Sequence, residues 1–417
     1  MGKWMRMAVV LVLVVALLGC QKEDQGQQII IADVEPTASY DWMAGVSPVS
    51  NERIGVVRAG FQGPLVTVSP TGVYFIPQID NWTSQRFILY VDHGSDQVIK
   101  LCGRADCTHD NDDCNASIYS PSALSFYNGH LYVWGSRETS IGTTMGNEPQ
   151  RTLWKMDPDG TNWVEVLDLE AFREEKYGKE SKATFGAYMI TNGYVMFTAF
   201  NKVENDKGEL ENVGEESYLY RLDGSDGPKL NEIMGMPLYR CGDVMLTLRN
   251  EVQNGGEYGS YWDHDWEKDT ITYLTDHPGE PGWYGKEEGY YFRDGAIRRL
   301  TYATQTEEVM VDTGLEGDYY VFCVPDCLIV AARDESDDAL YFYNWAFELV
   351  DTVTLDYPHK NSTEFLILAE TADRIILTDG DFKEWPRYYI EKSELGSGNV
   401  EVHAYDLSAV EEAQQET

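Results

Sequence analysis

The sequence predicts an all-β chain folded as a β-propeller, most simply with seven four-stranded blades. Three observations predict it. Short Tyr/Val/Ile/Phe runs are separated by Gly, Asp, Asn and Pro turns along most of the chain. One unit, a turn followed by an aromatic-aliphatic strand, recurs seven times. Its turn residues are Gly72, Gly129, Gly193, Gly242, Gly289, Asp326 and Asp373, a mean step of about 50 residues and within the range of propeller blades. No segment beyond the first twenty residues carries helical periodicity.

The elements follow in order within each repeat. A short strand comes first, as in PLVTVS, ALSFY, GAYMI, DYYVF and FLILA. The turn-strand unit comes next, from TGVYFIP at Thr71 to ADRIILTDG at Ala372. A strand pair joined by an acidic turn completes the repeat, from RFILYVDHGSDQVIKLC to RYYIEKSELGSGNVEVHAYDL. That is four strands per unit over residues 55–410. Six or eight blades also fit the blurred first and last units. Stacked sandwiches supply no reason for one repeating four-strand unit.

The N-terminus has the form of a targeting signal. Lys3 and Arg6 precede an apolar run from Ala8 to Leu18, too short to span a bilayer comfortably. The run ends in Leu17-Leu18-Gly19-Cys20, a lipobox pattern in which small Gly19 precedes the scissile bond and the Cys20 thiol takes the lipid. Residues 1–19 are therefore expected to be a removed signal, 20–54 a lipidated tether and N-terminal segment, and 411–417 a polar tail. The expected location is extracytoplasmic, held at a bacterial membrane through Cys20.

Charge narrows the partners. The chain carries 32 Lys+Arg against 70 Asp+Glu, a net charge of −38. Such a surface repels phosphate backbones, so nucleic acid is not an expected partner. With 43% apolar and 12% aromatic residues the chain is too rich in core-formers to be disordered. Lys3 and Arg6 leave with the signal, making the remainder more acidic still.

In an antiparallel four-stranded blade the loops between second and third strands share one face with the crossovers to the next blade. Residues 137–150, 201–217, 251–261 and 379–387 are expected as long insertions there, beside a Cys-rich crossover at 102–122. Trp82, Tyr258, Tyr261, Trp262 and Trp385 are the candidate ligand-binding rim residues, since exposed aromatics beside acids suit a sugar ring or a protein surface. The simpler use of each single ring is to cap its own blade, since large aromatics are common core and edge residues.

The sharpest chemical signal is LCGRADCTHDNDDCNA at residues 101–116. Cys102, Cys107, His109 and Cys114 are spaced C-x4-C-x-H-x4-C, a set of three thiolates and one imidazole that suits a closed, structural Zn²⁺ site. The spacing matches no familiar zinc finger. Asp106, Asp110, Asp112 and Asp113 would orient the imidazole or attract a cation. Disulfides are the competing reading for an exported chain. Apart from Cys20 there are six cysteines, including Cys241, and Cys323 and Cys327 flank a turn across which they could pair.

The segments LWKMDPDGTN from Leu153 and LYRLDGSDG from Leu219 resemble the blade turns of TolB-like β-propellers. The resemblance is closer still to bacterial surface lipoproteins of that type, and it covers most of the chain after Cys20. It implies the fold and a surface location and brings no activity with it. The acidic turns lack the full spacing of an EF-hand loop and read as hairpin turns.

No G-x-S-x-G, H-E-x-x-H or P-loop motif is present. The expected function is a membrane-anchored, non-catalytic propeller whose loop-rich face binds a protein or a glycan. The alternative is a carbohydrate-active enzyme, a glycosidase or lyase, using acids in the propeller channel.

Overall fold

The computed structural model describes residues 65–408, apart from 78–84, 111–112, 138–151, 192, 206, 232–235, 242–243, 254–255, 266–269, 277–281, 285–286, 325, 334–336, 357–366 and 379–385. Cys20, Trp82 and Trp385 lie outside these residues. Among the described residues no helix is long and apolar enough to cross a membrane.

The described strands form seven antiparallel sheets. The first holds β1 (Val66–Val68), β2 (Gly72–Phe75), β4 (Leu89–Asp92) and β5 (Ile99–Lys100). Between β2 and β4, β3 (Gln85–Phe87) leaves for the next sheet, which continues with β6 (Ser117–Tyr127), β7 (His130–Ser136), β8 (Thr152–Met156) and β9 (Val164–Asp168). The third sheet is β10 (Thr184–Thr191), β11 (Tyr194–Glu204), β12 (Leu210–Arg221) and β13 (Lys229–Asn231). The fourth is β14 (Met236–Cys241), β15 (Val244–Gln253), β16 (Gly256–Asp265) and β17 (Thr270–Asp276). The fifth is β18 (Gly282–Tyr284), β19 (Glu288–Arg293), β20 (Ala296–Thr301) and β21 (Thr306–Asp312). The sixth is β22 (Tyr319–Cys323), β23 (Leu328–Ala332), β24 (Ala339–Tyr343) and β25 (Leu349–Thr354). The seventh is β26 (Ile367–Glu370), β27 (Arg374–Leu377), β28 (Tyr388–Glu391) and β29 (His403–Ala404).

Burial explains why the second strand of each unit was the one visible as a repeat. β23 reads LIVAA and is buried at every position. Leu328, Val330 and Ala332 face the fifth sheet, while Ile329 and Ala331 face the seventh. A strand covered on both faces needs apolar residues at both phases of its two-residue period. The outer strand β21, TEEVMVD, is mostly exposed and correspondingly polar.

Each sheet packs on the next. Tyr74 and Ile88 meet Ile118 and Val133 between the first and second. Trp134 and Leu153 meet Val195 and Phe197 between the second and third. β10 lies beside β14, linking the third and fourth. Gln305 Nε2 donates to the Leu274 carbonyl at 3.0 Å, linking the fourth and fifth. Tyr290 and Ile297 meet Val321 and Val330 next, and Phe322 and Phe342 then meet Ile375 and Ile390. Val73 and Phe75 share a core with Ile376 and Tyr389, so the seventh sheet packs on the first. A parallel bridge between Gln97 and Asp406 reinforces that joint, with the Val98 amide donating to the Asp406 carbonyl at 3.0 Å. A fully buried ring such as Phe342 stabilises its joint by about 2–3 kcal/mol.

The structure departs from the sequence expectations at four places. β3 was expected as part of a third strand in the first unit, but Gln85–Phe87 pairs with Ser117–Tyr119 of the second sheet. A helix, α1 (Leu169–Tyr177), sits in the second crossover. Asp168 caps it by accepting from the Glu170 and Ala171 amides, and Gly178 ends it at φ 89°. Its nine residues are too short to display a period, and Phe172 anchors it on Phe197 and Tyr218. Residues 201–217 are not a loop: β11 and β12 stay paired from Tyr194–Arg221 out to Glu204–Leu210. Likewise 251–261 is a hairpin of β15 and β16 paired out to Gln253–Gly256. The β11–β12 ribbon was hidden because its outer half is largely exposed on both faces, so no apolar phase marks it; residues 251–261 are likewise rich in polar residues and Gly.

Candidate metal centre

The chain between β5 and β6 contains turns and no strand or helix over its described residues. It is fixed at both ends. The Leu101 amide donates to the Ile88 carbonyl at 2.9 Å, and the Ser117 amide to the Cys114 carbonyl at 3.0 Å. Cys102 and Cys114 are buried in the core shared by the first two sheets, with Cys107 packed against it. The crossover therefore turns back on itself and brings the four predicted residues together.

The ligand atoms of Cys102, Cys107, His109 and Cys114 all lie within 4.8 Å of one another. His109 Nδ1 stands 3.6 Å from Cys114 Sγ, and the His109 amide donates to Cys107 Sγ at 3.4 Å. All three cysteines are free thiols. His109 holds a left-handed backbone, φ 59°, uncommon for a residue with a side chain. That conformation is braced from outside: Lys100 Nζ donates to the His109 carbonyl at 2.6 Å while lying 4.3 Å over the Phe87 ring. Arg104 spans the far side, donating to the Asp113 carbonyl at 2.8 Å and pairing with Asp106.

The electrostatics of the set follow from its burial. Desolvation pushes the Cys114 thiol up to about 12, against the Ala116 amide that favours the thiolate. Desolvation, and then the Lys100 charge, lower His109 and keep its imidazole neutral. A neutral imidazole is ready to bind a cation, whereas the buried sulfur ionises when a cation replaces its proton. Three sulfurs and one nitrogen fit a tetrahedral metal in type and number.

Of the acids expected around the imidazole, Asp110 acts on His109 through its charge, which favours the protonated ring. Asp106 pairs with Arg104, and Asp110 accepts from Thr108. Asp112 lies outside the described residues. The bracing residues Lys100 and Arg104 had no signal in the spacing, since each acts on a backbone carbonyl that only the folded crossover presents.

The hairpin disulfide considered for Cys323 and Cys327 is not made: both are free and buried. Val324 pairs with Cys327, and Cys323 with Leu328, so the two sulfurs belong to different cores. Cys323 packs toward the fifth sheet and Cys327 toward the seventh. Of the aromatic rim candidates, Tyr258, Tyr261 and Trp262 sit on strand β16 and not on a loop. Trp262 is half-buried and meets Tyr273 edge-on at 5.3 Å.

Several acids are held by tyrosine hydroxyls, a structural use for part of the Tyr and acid content. Tyr90 donates to Asp92, Tyr177 and Tyr218 to Glu216, Tyr273 to Asp276, and Tyr290 to Glu288. Tyr291 donates to Glu307, Tyr319 and Tyr341 to Asp337, and Tyr389 to Asp96. Burial and the paired carboxylates raise the phenols of Tyr90, Tyr177, Tyr218, Tyr273, Tyr291, Tyr341 and Tyr389, Tyr341 to about 12, so these stay protonated donors.

No protein-family profile matches the sequence, and no curated protein matches it either. Several solved structures are similar in shape. An acylaminoacyl peptidase from Pyrococcus horikoshii aligns over 87% of this chain and 54% of its own, with TM-score 0.48 and 10% identity. The chain thus spans about half the length of that peptidase. The β-propeller domain of the Trilobed protease from Pyrococcus furiosus aligns over 69% of this chain and 78% of its own, with TM-score 0.38 and 9% identity. TolB from Acinetobacter baumannii aligns over 68% of each chain, with TM-score 0.28 and 11% identity. The architecture of this chain rests on its own sheets and on the packing that joins them.

Proposed function

We propose that the chain is an exported, lipid-anchored β-propeller of seven blades that acts as a non-catalytic binding scaffold. The observation that carries the reading is the sequence of joints: each of seven sheets packs on its successor, and the seventh packs on the first. A ring of that kind offers a rigid frame with loops and hairpins gathered at its two faces. The paired ribbons β11–β12 and β15–β16 and the metal crossover belong to the same face in an antiparallel four-strand blade. That face is read as the one that meets a protein or a glycan. Anchoring rests on the Leu17-Leu18-Gly19-Cys20 pattern, with Cys20 as the lipidated residue.

The cluster of Cys102, Cys107, His109 and Cys114 is read as a structural zinc centre. Four protein ligands close the coordination sphere, which leaves no position for a catalytic water. Its role is to hold a crossover that lacks strand or helix of its own.

Three measurements test the reading. Mass spectrometry of the chain expressed in a bacterium should find diacylglycerol on Cys20, and Cys20→Ala should abolish it. Glycan-array binding and pull-down with the reduced, metal-replete chain should give a ligand that shortening of the β11–β12 ribbon removes. Robust hydrolysis or elimination of a polysaccharide by the pure chain would overturn the non-catalytic assignment.

A further inference from the structure

The inference drawn here rests on the reading of Cys102, Cys107, His109 and Cys114 as a metal centre, and it concerns how that centre is regulated. We propose that the centre is a redox-released clamp: a peroxide reaching Cys107 converts two of the three thiolates into a disulfide and expels the metal.

Three features of the site carry this. The first is asymmetry of access. Cys102 and Cys114 are buried, while Cys107 and His109 are only half-buried, so an oxidant arriving from solvent meets the Cys107 sulfur first. The second is proximity. Every ligand atom lies within 4.8 Å of the others, so either buried thiol can close on Cys107 by a short displacement toward the bond length of about 2 Å. The backbone around Cys107 permits that displacement, because its amide is held only by a turn hydrogen bond to the Arg104 carbonyl at 3.3 Å. The third is the odd number of sulfurs. Cys323 and Cys327 lie in other cores, so one disulfide in this set leaves a single thiol beside His109. One sulfur and one imidazole are too few ligands to retain zinc.

The steps balance. The Cys107 thiolate attacks one peroxide oxygen; the O–O bond breaks, a sulfenic acid forms and hydroxide leaves. The thiolate of Cys102 or Cys114 then attacks the sulfenic sulfur; the S–O bond breaks, the S–S bond forms and a second hydroxide leaves. Peroxide gains two electrons, the two sulfurs lose two, and both hydroxides take up protons to become water. The metal departs as the divalent ion. A dithiol reductant together with zinc reverses the change.

The consequence is local and defined. The crossover loses its internal tether exactly where it links the first two sheets, while the joints between the other sheets are untouched.

The test uses the full chain in detergent, purified reduced and loaded with zinc. Elemental analysis first establishes the zinc content. Hydrogen peroxide is then added with a chromogenic zinc chelator, and peptides are mapped without reduction. The expected result is stoichiometric zinc release together with one disulfide containing Cys107 and one remaining thiol in the cluster, reversed by dithiothreitol and zinc. In Cys107→Ala the two remaining thiols should oxidise at least about tenfold more slowly, because both are buried. Zinc retained through peroxide treatment, release without a disulfide, or a disulfide that omits Cys107 would each overturn the clamp. A reduced chain that holds no zinc overturns the metal reading beneath it instead.

Discussion

Arg374 on β27 reaches Asp96, 278 residues earlier in the chain, at 3.2 Å. The same guanidinium donates to the Ser95 carbonyl at 2.8 Å and to Glu391 at 2.9 Å, and lies 4.0 Å over the Tyr389 ring. It is the polar pin of the joint between the last sheet and the first. Replacing Arg374 by Ala leaves the Ser95 carbonyl and Glu391 without this donor, Asp96 keeping the Tyr389 hydroxyl, and is expected to cost about 2–4 kcal/mol. Asp96 is half-exposed, so Asp96→Ala should cost less than about 1 kcal/mol. Urea unfolding of the two variants measures both, and equal losses would refute the asymmetry.

Glu370 makes stability depend on pH. Burial raises its carboxyl to about 7, even though Lys392 pairs with it and also reaches Asp326 at 3.1 Å. The folded pKa lies above the ordinary value, so the folded chain binds more protons than the unfolded chain between about 4.5 and 7. Stability attributable to this group therefore falls as pH rises through that window. Glu370→Gln cannot ionise and should gain on the wild type steadily from pH 4.5 to 7. Thermal unfolding across that range checks it; a constant gap between the two proteins would exclude the linkage.

Gly160 has a positive φ of 82° in the β8–β9 turn, and a Cβ there would stand 2.4 Å from the Leu101 carbonyl. Leu101 immediately precedes Cys102. Gly160→Ala should lower stability by about 1–3 kcal/mol through strain and displacement together. Because the displaced atom belongs to the crossover that carries the Cys/His cluster, the variant is expected to surrender zinc to a chelator sooner than the wild type. A stability loss with unchanged metal retention would separate the two effects.

Removing the metal should loosen one part of the molecule. Cys114→Ser takes away the most buried ligand of the set and should abolish stoichiometric zinc binding. Hydrogen exchange should then rise across residues 101–116 and at the β3–β6 pairing, and remain unchanged in the fifth and sixth sheets. Uniformly faster exchange throughout the chain would contradict a local role.

What the sequence disclosed follows from which residues had to be apolar. Strands such as β7, β19 and β23 lie between neighbouring sheets, so both phases of their alternation are buried and the runs stand out. The Cys/His cluster was legible because Cys102, Cys107, His109 and Cys114 fall within thirteen positions of one another. β3 was hidden because Phe87 and Leu89 look like one continuous strand, and only pairing assigns them to different sheets. α1 was hidden by its length, although Asp168 and Gly178 already bracket it with cap chemistry. The opposite orientations of Cys323 and Cys327 depend on turn register, which spacing alone does not determine.

The bridge between Gln97 and Asp406 has a consequence for how the chain acquires its shape. The flank of the first sheet that holds Val73 and Phe75 is covered by residues of the seventh sheet, made after the other six. Until Ile376, Tyr389 and Asp406 arrive, that apolar flank has no cover, while the second to sixth sheets already have their neighbours in sequence. Closing this joint pairs residues far apart in the chain, which carries a larger loop-closure entropy than the contacts between consecutive sheets. A nascent chain stalled before residue 400 is then the form most exposed to aggregation, and a chaperone that shields this flank would matter most at that moment.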